Sequence, residues 1–480
     1  MPKRLRPLSG LDAGFLYLEA AGTPMHVGSL MLIEPPRRRG HDFHRDLMHH
    51  LAERLPRAPA LRRVLQPAPL DLGHPMWREA EEIKLERHVL RRKIPAPGSE
   101  RQLAALVGRL HAQMLDREHP LWQFVVIEGL ASGQVALYSK IHHAVLDGQG
   151  GVALAQAMLD LEPRAPTRRK TTAEGVAAPA RSAVAGAALR ANASQLLRLL
   201  RAVPPVLKLA SEAGGGGSML QSLKEGVGRI RDSVLIAPRT LFNRQVCAQR
   251  TFAAVSLPLD GVKRGAKHYG VSLNDVVMAL CSGALRDYLG ARHELPAKPL
   301  IAAMPVSLRA AGDAEVNNQV SMVQCPLATD RDDPVDRLRS VAESTLSIKQ
   351  RVSALRGLIP TDFPGLAAPY WASGLSRLWA RGRVAERLPP LANVAISNVP
   401  GAPVPLYLAG ARVVHYFPVS IVTHGLALNI TVQSYAGMLE FGITACRDAV
   451  AKPELIARGL ERALAQLMER LPHDATRPQA

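Results

Sequence analysis

Residues 138–151 read YSKIHHAVLDGQGG. Two adjacent imidazoles, His142 and His143, are followed by a carboxylate at Asp147 and a glycine at Gly148. Three roles are open to this cluster: a metal site, a packed structural pair, or a general base with a helper. Successive strand side chains point to opposite faces, so two extended neighbouring histidines do not easily grip one ion. No HExxH and no Cys/His cluster supplies further ligands. The nucleophile elbow GxSxG is absent, and no cysteine sits in an activating sequence. The chain thus offers a base without a matched side-chain nucleophile. That is enough when the substrate brings its own hydroxyl. A neutral imidazole can take the proton while the oxygen attacks an activated carbonyl. A thioester is already activated, and it needs no metal, ATP or covalent intermediate. The full HHxxxDG spacing at a strand-to-helix corner favours such a base over two polar residues that merely end a strand. Asp147 then reads as a brace. A carboxylate fixed by an arginine holds the corner, and Gly148 permits a tight backbone there. Arg309, in MPVSLR, is a possible partner, and a surface role fits it equally well.

The elements that must position this cluster follow from periodicity. Gln134–Ile141 reads as a half-buried strand, with Val135, Leu137 and Ile141 sharing a face with Ser139. Leu121–Leu130 reads as a second strand, and ASGQ as the turn between them. GVALAQAMLDLEP reads as a helix that stops at Pro163. The motif therefore lies on a corner between strand and helix. Further on, GVSLNDVVMALCSGALRDYLG predicts a helix capped by Ser272 and ending at Gly290. PLIAAMPVSLR, NQVSMVQCPL, NVAISNVPG and LNITVQSYAGMLEFGITAC predict strands, the last a hairpin turning at Ala436-Gly437. In ISNVPG, Ser397 and Asn398 either donate into a site or end a strand before the Pro400-Gly401 turn. Pro453–Leu471 predicts an amphipathic helix.

A chain of 480 residues exceeds what one core normally serves, so two domains are expected. Hydrophobic residues make up 47%, which fits a globular α/β protein and excludes a disordered one. The predicted division is a lobe over 1–162, a basic helical linker over 163–250 and a second lobe over 251–480. The linker carries fifteen Lys or Arg against four acidic residues. Within it SQLLRLLRAVPPVLKL is a basic amphipathic stretch interrupted by Pro204-Pro205, either a packed linker helix or a segment that lies on an anionic membrane. The formal net charge of +19 attracts an anionic partner. Aromatics at 4% are poor for base stacking, so a phosphorylated small molecule or a lipid surface fits better than nucleic acid. Cys247, Cys281, Cys325 and Cys446 show no CxxC spacing and read as small buried hydrophobes in a reducing compartment. No apolar run of about 18 residues is present, so no spanning helix is expected. A cytoplasmic protein with peripheral membrane contact is the expectation.

HHAVLDG resembles the HHxxxDG motif of coenzyme A-dependent acyltransferases and of peptide-synthetase condensation domains. LSGLDAGFLYLEAAGTPMHVGSL, PLWQFVVIEGL, NDVVMALCSGALRDYL, MPVSLR, NNQVSM and ISNVPGAPVPLYLAGARV narrow this. Together they resemble the bacterial wax ester synthase/acyl-CoA:diacylglycerol acyltransferase family, from about Leu8 to about Leu471. The resemblance implies two chloramphenicol-acetyltransferase-like lobes, each a mixed sheet covered by helices, with a tunnel between them. It implies long-chain acyl-CoA as a substrate rather than a cofactor, with no metal and no other cofactor. The acceptor would be diacylglycerol or a long-chain alcohol, met at a membrane or lipid-inclusion surface. The second motif histidine is the family's base, here His143. His142 carries over as its support and Asp147 as the structural carboxylate. The ND motif points to Asn274 near the active site, with Asp275 as a brace. The PLW motif points to Pro120, Leu121 and Trp122 as residues that shape the site. Two rivals remain: a condensation-type enzyme acting on carrier-bound thioesters, and a non-catalytic lipid-binding protein.

Overall fold

The computed structural model describes residues 5–36, 41–68, 74–146, 148–163, 186, 235–307, 320–355 and 384–471. Asp147, Arg309 and the basic stretch SQLLRLLRAVPPVLKL lie outside the described residues. In chain order the strands are β1 (Leu5–Pro7), β2 (His26–Glu34), β3 (Arg63–Gln66), β4 (Met76–Glu79), β5 (Val89–Lys93), β6 (Trp122–Glu128) and β7 (Val135–His142). They continue as β8 (Arg250–Pro258), β9 (Ile301–Ser307), β10 (Val320–Pro326), β11 (Val394–Val399), β12 (Tyr407–Leu408), β13 (Ala411–Val419), β14 (Leu428–Tyr435) and β15 (Met438–Cys446).

Two six-stranded sheets organise the molecule. One has the order β12-β13-β2-β7-β6-β5, the other β10-β9-β11-β14-β15-β8, and β1-β4-β3 form a small third sheet. Both large sheets are mixed. β5 runs parallel to β6 in the first, and β11 runs parallel to β9 and β14 in the second. Helices cover each sheet, as the α/β reading of the sequence required. β13, which comes late in the chain, pairs with β2 near the start. The C-terminal half thus donates two strands to the N-terminal sheet.

The local signals explain the individual elements. Ser272 caps the helix Leu273–Gly290 through a full capping box with Asp275. Thirteen of that helix's residues are buried, so its sequence is apolar nearly all round. Its companion Glu454–Glu469 buries Ile456, Ala457, Gly459, Leu460, Ala463, Leu464 and Leu467, one stripe at helical spacing. The β14–β15 hairpin turns at Ala436 and Gly437, both with positive φ (44° and 85°). Two positive values in sequence suit the right-handed twist of the paired strands.

Two expectations change. β7 is buried on both faces rather than one: Ala136, Tyr138, Lys140 and His142 are covered as completely as Leu137 and Ile141. The reason is its central place, with the helix Glu100–His111 and strands from the other half lying over that second face. Leu110, Tyr138, Phe252 and Phe417 meet there in one cluster. The helix that begins at Gly148 ends at Met158, short of Pro163. Asp160 leaves it to exchange two backbone hydrogen bonds of 2.8 Å with Tyr407, and its carboxylate pairs with Arg54.

The two large sheets press together where β13 crosses β15. A Cβ added at Gly442 would lie 1.7 Å from the carbonyl oxygen of Pro418. Only a residue without a side chain fits that crossing. Gly442→Ala should therefore destabilise the fold by about 3 kcal/mol, the upper end for overpacking. Urea unfolding checks this, and a midpoint equal to that of the parent would mean that the two sheets separate there at little cost.

Candidate active site

The end of β7 is held from several sides. The His142 N–H donates to the Leu121 carbonyl at 2.9 Å, and the His143 N–H donates to the Met25 carbonyl at 2.8 Å. The chain then turns, with the Val145 N–H donating back to the His142 carbonyl. Backbone amides thus fix both histidines before their side chains are considered.

The two rings have different surroundings. His142 is fully buried. Its Nδ1 accepts from the Ala144 N–H at 3.1 Å, which leaves the proton on Nε2. Nε2 lies 3.4 Å from Oε1 of Glu19, whose side chain is also fully buried. The same Oε1 accepts the Met25 N–H at 3.2 Å. Oε2 accepts from Nε and a terminal nitrogen of Arg117 at 3.1 and 2.8 Å. His143 is half-buried, and its ring stacks on Phe15, centroids 4.0 Å apart at 14°. Of the two, the second histidine is partly exposed; the first is built into the protein.

Behind His142 lies a row of buried polar groups. His26 pairs with His142 across β2 and β7. His26 Nε2 donates to the His111 carbonyl at 2.7 Å, and burial holds its pKa well below the ordinary 6.5. His111 donates through Nε2 to the Ser420 carbonyl at 2.9 Å and accepts from the Tyr138 hydroxyl at 2.7 Å. Burial lowers its pKa to about 3. Lys140 donates to the carbonyls of Leu110 and Gln113 at 3.1 and 2.7 Å. Burial pushes its ammonium down to about 8, while Glu19 pulls the other way. All of these polar atoms sit in low dielectric, where an unpaired group is costly.

The sequence-derived site residues separate into two groups. Leu121 carries the carbonyl that anchors His142, and the adjoining Pro120 is buried. Trp122 is buried too; its indole N–H donates to the Leu61 carbonyl at 2.8 Å, and its ring stacks on His88. These three support the corner from behind. Gly148 opens the helix Gly148–Met158 directly after the corner. In the second lobe Asn274 and Asn398 come together: the Asn398 Nδ2 donates to Oδ1 of Asn274 at 3.3 Å. Nδ2 of Asn274 is left against the Met304 sulfur at 3.9 Å. Ser397 sits beside Asn398 on β11, opposite Thr431. Asp275 points away into its own capping box and accepts from the Thr345 hydroxyl at 2.5 Å, which is a bracing role.

Sequence reasoning missed Glu19, Arg117, His26 and His111. Lys140 was the available signal. A lysine amid the apolar run VALYSKI demands partners if that strand is central, and those partners are the carbonyls of Leu110 and Gln113 on either side of His111.

Folding lowers the Glu19 pKa from the ordinary 4.5 to about 2. Burial by itself would raise it; His142, Arg117 and the Met25 N–H outweigh burial. A carboxyl depressed in the folded state stabilises the protein above its unfolded pKa, and this is lost as pH falls through the folded value. The window runs from pH 4.5 down to about 2 and is worth about 3 kcal/mol. Glu19→Gln should be less stable than the parent at neutral pH, with the gap closing through that window. Urea unfolding across pH checks this; a gap that stays constant would rule out an ionised Glu19.

Comparison with known proteins places these features. Residues 8–277 match the wax ester synthase/diacylglycerol acyltransferase catalytic domain, and residues 316–468 match the C-terminal domain of the same family. A Mycobacterium tuberculosis protein assigned as a diacylglycerol O-acyltransferase is 39% identical over 467 residues, covering 96% of this chain and 99% of that one. The solved wax ester synthase/diacylglycerol acyltransferase of Marinobacter aquaeolei superposes with a TM-score of 0.68 at 30% identity, covering 96% of this chain and 98% of that one. The first condensation domain of the calcium-dependent antibiotic synthetase shares the fold at a TM-score of 0.54 and 16% identity, over 98% and 96% of the two chains. The chain is an O-acyltransferase of two chloramphenicol-acetyltransferase-like lobes, and it belongs to the wax ester synthase/diacylglycerol acyltransferase family.

Proposed function

We propose that this protein transfers a long-chain acyl group from acyl-CoA to the hydroxyl of diacylglycerol or of a long-chain alcohol, forming triacylglycerol or wax ester. The observation that carries the mechanism is the difference between the two histidines. His142 is sealed against Glu19, whereas His143 is partly exposed on the same corner. A general base must reach its substrate, so His143 is the base and His142 the support.

His143 takes the proton from the acceptor hydroxyl. The oxygen attacks the thioester carbonyl, and a tetrahedral oxyanion forms. The carbon–sulfur bond then breaks, and His143 returns the proton to the coenzyme A thiolate. The oxyanion needs a donor. Asn274 suits this role because Asn398 engages its Oδ1, which sets the orientation of the amide. Its NH2 then faces only a thioether, a weak acceptor that a developing anion displaces. Acyl-CoA and acceptor meet in this reading in a tunnel between the lobes.

The assay is labelled acyl-CoA offered with a long-chain alcohol, with diacylglycerol, or with no acceptor, and resolved by thin-layer chromatography. His143→Ala should remain folded and lose a factor of about 10²–10⁴ in turnover. Retained turnover would remove it as the base. Asn274→Ala should lower kcat by about 10²–10³ with little change in KM if the amide meets the oxyanion. A change confined to KM would assign it to binding instead.

The net charge of +19 suits both the phosphates of coenzyme A and an anionic lipid surface, where the proposed acceptors reside. Among the described residues no helix is long and apolar enough to cross a membrane, so such contact would be peripheral. Added salt should raise the KM for acyl-CoA and release the protein from phosphatidylglycerol vesicles. If neither responds to salt, the charge has no part in binding.

A further inference from the structure

Outside the active site, two thiols from distant parts of the chain lie together. Cys247 follows the short turn Leu241–Asn243, and Cys446 is the last residue of β15. Their sulfurs are 3.3 Å apart. The Cys247 N–H donates to the Cys446 sulfur at 3.2 Å. Cys446 is buried, whereas Cys247 is half-buried and the more accessible of the two. Cys281 and Cys325 are buried, and burial raises both thiols to about 12. The first pair therefore stands apart from the other two cysteines, and the expectation of four buried residues does not hold for Cys247.

The pair adjoins a buried cation. The Arg250 guanidinium donates to the Cys247 carbonyl, and its other terminal nitrogen donates to the Gly22 carbonyl at 2.6 Å. Gly22 lies in the tight turn between Glu19, which holds His142, and Met25, which holds His143. One arginine thus connects the thiol pair to the loop that positions the motif histidines.

We propose that Cys247 and Cys446 form an oxidative modification site that a peroxide closes into a disulfide. The Cys247 thiolate attacks the peroxide, breaking its O–O bond to give a sulfenic acid and releasing water or an alcohol. The Cys446 thiol then displaces the hydroxyl as water and forms the S–S bond. The peroxide is reduced, and the two thiols are oxidised. A disulfide needs its sulfurs about 2 Å apart, so closure takes a shift of roughly 1 Å. That shift draws on the Cys247 carbonyl and thus on the hold that Arg250 keeps on Gly22. Asp448 lies close enough to complete a three-ligand metal cluster with the two thiols. Arg250 weighs against that use, because a bound cation would share the site with a guanidinium. The S–S bond does not rest on the proposed acyl transfer; only its effect on turnover does.

The full-length protein is treated with hydrogen peroxide, digested without reduction and analysed by mass spectrometry. A Cys247–Cys446 cross-linked peptide that dithiothreitol abolishes is expected, with Cys281 and Cys325 still free. Sulfinic acid on Cys247 without a cross-link would overturn the site. So would zinc that copurifies in a one-to-one ratio and blocks oxidation. Turnover of the parent should fall severalfold on oxidation and recover on reduction. Cys247→Ser, altered at the half-buried member, should fold and keep its turnover under peroxide. A cross-linked parent with unchanged turnover would overturn the link to the catalytic loop.

Discussion

The architecture of the site turns on one buried carboxylate. Glu19 has no exposed side-chain surface, and an unpaired carboxylate there would be too costly to keep ionised. It is kept ionised because both oxygens are engaged. Those contacts tie together four parts of the chain: the loop after the helix Gly10–Leu18, the start of β2, the end of β7 and the segment that follows the helix Glu100–His111. The end of β7, with His142 and His143, is fixed in place by these contacts. The carboxylate sets the tautomer of His142, and the loop it anchors receives the amide of His143.

The second requirement is that the two halves of the chain be fastened to each other. A base on one lobe and an oxyanion donor on the other work only if their separation is fixed. The shared sheet does this, because β13 leaves the C-terminal half to pair with β2. The bond from His111 to Ser420 adds contact between the same two halves, and the crossing at Gly442 presses the two sheets together. Half-buried Ser256 and His415 meet the buried Glu440 and join β8, β13 and β15 where the two sheets face each other. Stability and site geometry are therefore not separable in this protein.

The row of buried histidines and Lys140 shows how burial assigns charge. His26 and His111 are held neutral by desolvation, so they serve as fixed donors and acceptors rather than as bases. His143 sits instead at the turn, half-buried against the face of Phe15. Imidazoles of identical chemistry thus acquire different surroundings by position alone.

Much of this was legible from short windows of sequence. Ser272 with Asp275, the Ala436-Gly437 turn, the stripe on Glu454–Glu469 and the HHxxxDG corner are each encoded within some twenty residues. Their determinants are local: hydrogen-bond closure at a helix end, permitted φ at a turn, and side-chain periodicity. The reactive pattern and its reading as acyl transfer came from the same scale, joined to an ordered set of motifs. Tertiary structure decided the rest. Which face of β7 is buried, which carboxylate holds His142, and which sheet receives β13 depend on residues tens to hundreds of positions apart. Glu19 and His142 are 123 positions apart in sequence, yet their atoms lie 3.4 Å apart. No local rule pairs them; burial does, because a charge taken from water must find its partner wherever the packed chain presents one.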